Sequence, residues 1–209
     1  MKKLLILTAI ILFGFTNVRA QEVNFGAKAG VNFATINSDN FDSFDGRTCF
    51  HVGFVSEIMI SDNFAFQPEL LYSCQGSDYS ETFSNGTEAN FTKALATYEG
   101  TVKLDYLNIP LMAKYFVAEG FSIEAGPQVG FLLSAKDEYD FDGDTGEDDI
   151  KEYLKGIDFG VNFGVGYKLE GGLNLGARYN LGLTDANDSF EEGGTYKNGV
   201  FQVFVGYFF

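Results

Sequence analysis

Eight stretches of this chain alternate apolar and other residues with a period of two, and in each the less oily face is mostly glycine, amide or charge. They span residues 23–33, 50–60, 66–73, 107–115, 121–133, 157–169, 173–183 and 201–209. Such alternation specifies strands with one oily side. In the sixth, Ile157, Phe159, Val161, Phe163, Val165, Tyr167 and Leu169 oppose Asp158, Gly160, Asn162, Gly164, Gly166 and Lys168. A soluble sandwich alternates too, but its polar side faces water and carries Lys, Thr and Glu rather than repeated Gly. Glycine weakens a strand and marks close backbone approach, as inside a narrow barrel. The fold class expected is all-β: an eight-stranded antiparallel transmembrane up-and-down barrel with a side-chain-filled lumen. A soluble sandwich or lipocalin-like barrel is the competing reading. The 23 Phe, 11 Tyr and 25 Gly, with no Trp, fit a lipid-facing wall around a crowded interior.

The N-terminus reads as a signal peptide over residues 1–20. Lys2 and Lys3 precede an apolar run from Leu4 to Phe15, and Val18-Arg19-Ala20 is a small-residue cleavage site. That run is too short for a membrane helix, which needs roughly 20 residues. Cleavage after Ala20 leaves residues 21–209 as one barrel domain and, because Gln21 is not Cys, no lipid anchor. Loss of Lys2, Lys3 and Arg19 makes the formal charge of −15 more negative still. Such a chain does not bind nucleic acid through phosphates, which requires Lys and Arg.

The connections orient the barrel. Ser61-Asp62-Asn63, Glu119-Gly120 and Glu170-Gly171-Gly172 read as tight periplasmic turns. The links near 36–48, 76–100, 136–156 and 185–197 read as long, polar external loops. The last segment places Phe201, Val203, Val205, Tyr207 and the terminal Phe209 on one face. This is similar to the signal read by the barrel-assembly machinery, an expected partner during biogenesis. Pro68, Pro110 and Pro127 fall inside strands, where proline donates no ladder hydrogen bond. Bulges near the turns are expected to absorb Pro68 and Pro127, and a local irregularity Pro110.

Several motifs resemble the PorT-like outer-membrane β-barrel family, abundant in Bacteroidetes. They are Phe25-Gly-Ala-Lys-Ala-Gly-Val-Asn-Phe33, Gln67-Pro-Glu-Leu-Leu-Tyr72, Leu104-Asp-Tyr-Leu-Asn-Ile-Pro-Leu111 with Ala113-Lys-Tyr115, Glu124-Ala-Gly-Pro-Gln-Val-Gly130 and Leu175-Gly-Ala-Arg-Tyr-Asn-Leu-Gly182. The resemblance covers essentially all of residues 21–209 and includes the three prolines. It implies a barrel in the bacterial outer membrane, and it brings no catalytic motif. The namesake's link to type IX secretion and gliding is not carried over.

A barrel of about eight strands has room inside only for side chains or one small ligand. Its inward charges are Lys28, Glu57, Glu69, Lys114, Glu124, Asp158, Lys168 and Arg178, four acids against four bases. Paired, they plug the lumen; a proton or ion path, or a gate that opens when pairs swap, is the alternative. His51 is the lone histidine. The Asp62-Asn63 turn pairs residues whose numbers sum to about 124, which sets His51 opposite Ser73. A Ser–His pair near the outer rim suggests a lipid-acting enzyme, but no orienting carboxylate stands out. Under the same register Cys49 and Cys74 lie on opposite faces, so a disulfide needs a bulge or a slip of one residue. In the acidic stretch 136–155, Asp140, Asp142 and Asp144 weakly resemble a calcium loop, yet Thr145 and Lys151 stand where an EF-hand needs Gly and Glu. A solvated acidic loop is the plainer reading; weak capture of a divalent cation bridging to lipopolysaccharide phosphates is the other.

The expectation is therefore a monomeric, non-enzymatic outer-membrane barrel without cofactor. Its acidic loops would act structurally or contact lipid, lipopolysaccharide or an envelope partner. A small channel or transport component, and an outer-leaflet lipid enzyme using His51 and Ser73, are the alternatives.

Overall fold

The computed structural model describes residues 22–38, 44–85, 94–141, 143–187 and 195–209. Residues 1–20, read above as a signal peptide, Gln21 and Asp142 lie outside them. Among the described residues nine strands follow in order: β1 (Val23–Ser38), β2 (Phe44–Ser61), β3 (Phe64–Asn85), β4 (Ala94–Ala118), β5 (Phe121–Phe141), β6 (Asp144–Asp149), β7 (Ile157–Lys168), β8 (Leu173–Gly182) and β9 (Tyr196–Phe208). All pairings are antiparallel. β1 to β5 pair in sequence, β5 continues to β7, β8 and β9, and β9 returns to β1. Eight strands thus close a ring with no free edge, while β6 pairs with β5 alone and stands outside it.

Alternation places the oily set outward. Phe54 is 70 % exposed and Phe209 77 %, whereas Arg178 and Lys114 inside are about as buried as side chains become. So wide an apolar wall is incompatible with water and suits acyl chains. The tight turns lie where expected, with Gly120, Gly171 and Gly172 at positive φ. The long polar links are a different matter. Much of 76–100 and 136–156 is strand, because β3, β4 and β5 run far past the membrane band and β6 folds back on β5. The result is a five-stranded sheet, β2–β3–β4–β5–β6, projecting beyond the outer rim.

Pro68 and Pro127 are accommodated without the expected bulges, while the ladders are interrupted beside Pro110 as expected. The β2–β3 ladder keeps one register from His51↔Ser73 to Met59↔Ala65 but drops the pairs at Gln67 and Pro68. The β3–β4 ladder similarly runs from Pro68↔Leu111 to Leu71↔Asn108, and the β4–β5 ladder from Pro110↔Gln128 to Ala113↔Ala125, without a shift. Each strand loses hydrogen bonds locally and keeps its facing, so no bulge is needed. True register shifts occur elsewhere: between Gly46 and His51, between Met59 and Ser61, at Asp105/Tyr106 and at Phe116/Ala118.

Candidate functional site

The lower lumen holds a chain of alternating charges. Lys168 meets Glu57 (2.5 Å), Glu57 meets Lys114 (3.0 Å), and Lys114 meets Glu124 (3.3 Å). Glu124 then meets Arg178 (3.1 Å). Arg178 grips Glu69 with both terminal nitrogens, at 2.9 and 2.8 Å, and Glu69 takes Lys28 at 3.1 Å. Gln67 ties two links together, donating to Glu69 (2.7 Å) and accepting from Lys114 (3.0 Å). Strand alternation turns these residues into the lumen from β1, β2, β3, β4, β5, β7 and β8. Pairing offsets the desolvation that would make any one of them costly alone.

The expected balance of four against four is not what forms. Asp158 stands apart: its Oδ2 lies 3.5 Å from the Asn198 amide and, among the described residues, its Oδ1 has no partner. Three acids therefore face four bases. The surplus positive charge rests on two inward phenylalanines, with Lys28 at 3.6 Å and Arg178 at 5.5 Å from the Phe204 ring centroid, and Lys168 at 4.8 Å from that of Phe208. Their negative faces attract cations. Composition could not reveal this role, because both phenylalanines break the polar pattern of β9. At the lower end Lys168 borders a vestibule of about 550 Å³ among the short turns, lined also by Glu22, Asp62, Glu119 and Glu170.

Above the charges lies a layer of amides. Asn32 is its hub, donating to Ser73 Oγ (3.0 Å) and the Cys74 carbonyl (2.6 Å) while its Oδ1 faces His51 Nδ1 (2.7 Å) and accepts from Gln202 (2.9 Å). Asn180, Asn162 and Gln128 form a second run. The register does set His51 opposite Ser73, as expected. Asn32 holds both, His51 Nε2 has no partner among the described residues, and both residues are fully buried. A nucleophilic serine passes its proton to the imidazole; here the hydrogen bonds of both side chains run to Asn32 instead.

Over the amides sits an apolar cap that polar-loop reasoning missed. Ile36, Leu104, Tyr106, Leu132 and Ala135 are buried together, with Val102, Ile150, Leu154 and Tyr196 packed against them. The shift at Asp105/Tyr106 turns Ala135 inward beside Leu104.

The projecting sheet has two unlike faces. Its inner face stacks tyrosines: ring centroids of Tyr79 and Tyr98 are 5.8 Å apart, and those of Tyr98 and Tyr139 6.1 Å. Gly100 lies beneath Tyr79 and Gly146 beneath Tyr139, where a Cβ would collide with the ring. Tyr79 also donates to Asp137 (2.9 Å); burial pushes the Asp137 carboxyl above its ordinary range, against the opposing pull of that bond. The outer face is a grid of acids in cross-strand rows, Asp45–Asp78–Thr101–Glu138–Glu147 and Ser80–Glu99–Asp140–Thr145. Lys103 pairs with Glu138 and Lys136 with Glu147. The calcium-loop likeness dissolves here. Residues 136–141 and 144–149 are paired strands, so Asp140 and Asp144 fall on opposite faces, and Asp140 instead accepts the Gly143 N–H (2.9 Å). Among the described residues no cluster of three His, Cys, Asp or Glu could hold a metal.

Comparison with known proteins agrees with this architecture. Structures of Ail, the attachment invasion locus protein of Yersinia pestis, superpose with a TM-score of 0.54 at 12% identity, covering 90% of this chain and 99% of that one. Neisserial surface protein A gives 0.50 at 16% identity, covering 90% and 100%. A second Ail structure, in complex with the heparin analogue sucrose octasulfate, gives 0.51 at 10% identity, covering 90% and 99%. No curated protein sequence matches the chain. Residues 19–188 match the family described as outer membrane protein beta-barrel domain. The chain belongs to that family, and its place is the bacterial outer membrane.

Proposed function

We propose that this protein is a non-enzymatic surface barrel that holds a positively charged partner against the outer face of its projecting sheet. The observation that carries this reading is the acid grid. Asp45, Asp78, Glu99, Glu138, Asp140 and Glu147 share one face across five strands, directly above the lipid-facing wall. Like charges set opposite one another cost stability, and a cationic ligand relieves that cost. A basic segment of an envelope protein fits; a divalent cation bridging to lipopolysaccharide phosphate is the smaller alternative. A sulfated glycan, the class whose analogue Ail carries, has the wrong sign for this surface. The motifs around the three prolines support a PorT-like placing within the family. Export through the N-terminal segment and insertion through the last strand, read from Phe201, Val203, Val205, Tyr207 and Phe209, complete the proposal. The protein is taken to act as a monomer, since the eight strands of the membrane ring all have two neighbours and leave no edge within the bilayer.

The test is binding of a lysine-rich peptide to the purified barrel in detergent. Affinity is expected to fall steeply with salt and to be lost in a Glu99→Gln/Glu138→Gln/Asp140→Asn/Glu147→Gln variant, with heparin bound by neither. Equal binding by the variant overturns the reading. A second reading, a small channel, draws on the vestibule that exposes Lys168 to the lower solvent. It requires steady conductance in planar bilayers that changes in Arg178→Ala; silence at every voltage ends it.

A further inference from the structure

We propose that Cys49 and Cys74 form an intramolecular disulfide that staples β2 to β3 where the barrel wall becomes the projecting sheet. Regular pairing would hold the two on opposite faces, which is the objection the spacing raises. The structure removes it at this height. The β2–β3 ladder runs regularly down from His51↔Ser73 and resumes above at Gly46↔Ser77, with residues 47–50 on β2 set against only 74–76 on β3. The extra residue on β2 bulges the strand, and Gly76 takes up the strain on β3 at φ 121°. Within this mismatch Cys49 is brought against its neighbour: its Sγ lies 2.6 Å from the Cys74 carbonyl oxygen.

The surroundings suit the chemistry. Arg47, two residues from Cys49, is anchored to the carbonyl of Gln75, next to Cys74, at 2.6 Å. Cys49 is half-buried and Cys74 buried, so Cys49 is the sulfur an external oxidant reaches first. The outer membrane lies in an oxidising compartment, and the chain holds no third cysteine to compete. The oxidant is a protein disulfide of the thiol–disulfide oxidase class. The Cys49 thiolate attacks one of its sulfurs, forming a mixed disulfide and releasing one thiolate. The Cys74 thiolate then attacks Cys49 Sγ, the Cys49–Cys74 bond forms, and the second oxidase thiolate leaves. Two electrons and two protons pass to the oxidase, which ends as a dithiol.

The test uses the full protein taken from outer membranes under acid quench, denatured, and alkylated with or without prior reduction. Peptide mass spectrometry is expected to find the Cys49 and Cys74 peptides joined, two hydrogens lighter than their sum, and neither alkylated until reductant is added. Alkylation of both cysteines without reduction overturns the proposal, as does linkage of either one to a different thiol. A second readout is the heating temperature at which the folded gel band is lost. Reductant should lower it for the natural protein and leave a Cys49→Ala/Cys74→Ala variant unmoved. A natural protein as indifferent to reductant as that variant overturns the staple.

Discussion

The lower and upper halves of the lumen solve one problem in two ways. Below, Glu57, Glu69 and Glu124 are threaded between Lys28, Lys114, Lys168 and Arg178, so every carboxylate has at least two cationic neighbours. Above, neutral amides around Asn32 are followed by the apolar cap of Leu104, Tyr106 and Leu132. The difference teaches where mutation hurts. A charged layer tolerates loss of one partner badly, because the partner left behind is an uncompensated ion. An amide layer loses only unsatisfied dipoles, and an apolar cap only packing.

The largest expected effect is therefore at the hub of the lower layer. Arg178→Ala removes the bidentate grip on Glu69, leaves Glu69 to Lys28 alone and Glu124 to Lys114 alone, and should cost about 3–5 kcal/mol in denaturant unfolding of the reconstituted barrel. A loss below that of Asn32→Ala would erase the distinction between the halves. Asn32→Ala itself leaves His51, Gln202 and the Cys74 carbonyl short of a partner. About 1–3 kcal/mol is expected in the same assay.

A smaller effect lies beyond the rim, where burial raises Asp137 above its ordinary range. The folded sheet then prefers the protonated carboxyl. Its stability rises as pH falls from neutral through the raised value, and levels off once below the ordinary value of 3.8. Hydrogen exchange of β5 and β6 amides should follow that trend, and Asp137→Asn should flatten it. The smallest effect sharpens the comparison most. Among the described residues Asp158 has no cationic partner, so Asp158→Asn should leave unfolding unchanged or slightly more favourable to the fold, unlike Glu69→Gln. A cost equal to that of Glu69→Gln would mean that Asp158 belongs to the charge chain after all.

Much of this was legible in the residue order. Period-two alternation separates Phe54 and Phe163 from Glu57 and Asn162 without reference to any neighbour, because side-chain facing on a strand is a local property. The same rule picked out every member of the charge chain and matched His51 to Ser73 through a two-residue turn. It failed where the chain departs from that rule. Residues 136–155 looked like a solvated loop because acids dominate them, yet the Tyr139–Gly146 pairing makes them a hairpin, and aromatic cover of glycine is a cross-strand property.

By itself, then, the sequence determined an outer-membrane wall, its strand count and which side chains enter the lumen, since alternation and turn length are written residue by residue. Only the tertiary structure decided the rest: that Asp158 stands outside the ion chain, that Phe204 and Phe208 carry its surplus charge, that an apolar cap closes the top, and that a register mismatch sets the Cys49 sulfur against the Cys74 carbonyl. These depend on how many residues each neighbouring strand spends between fixed pairs, and one extra residue reverses every facing beyond it.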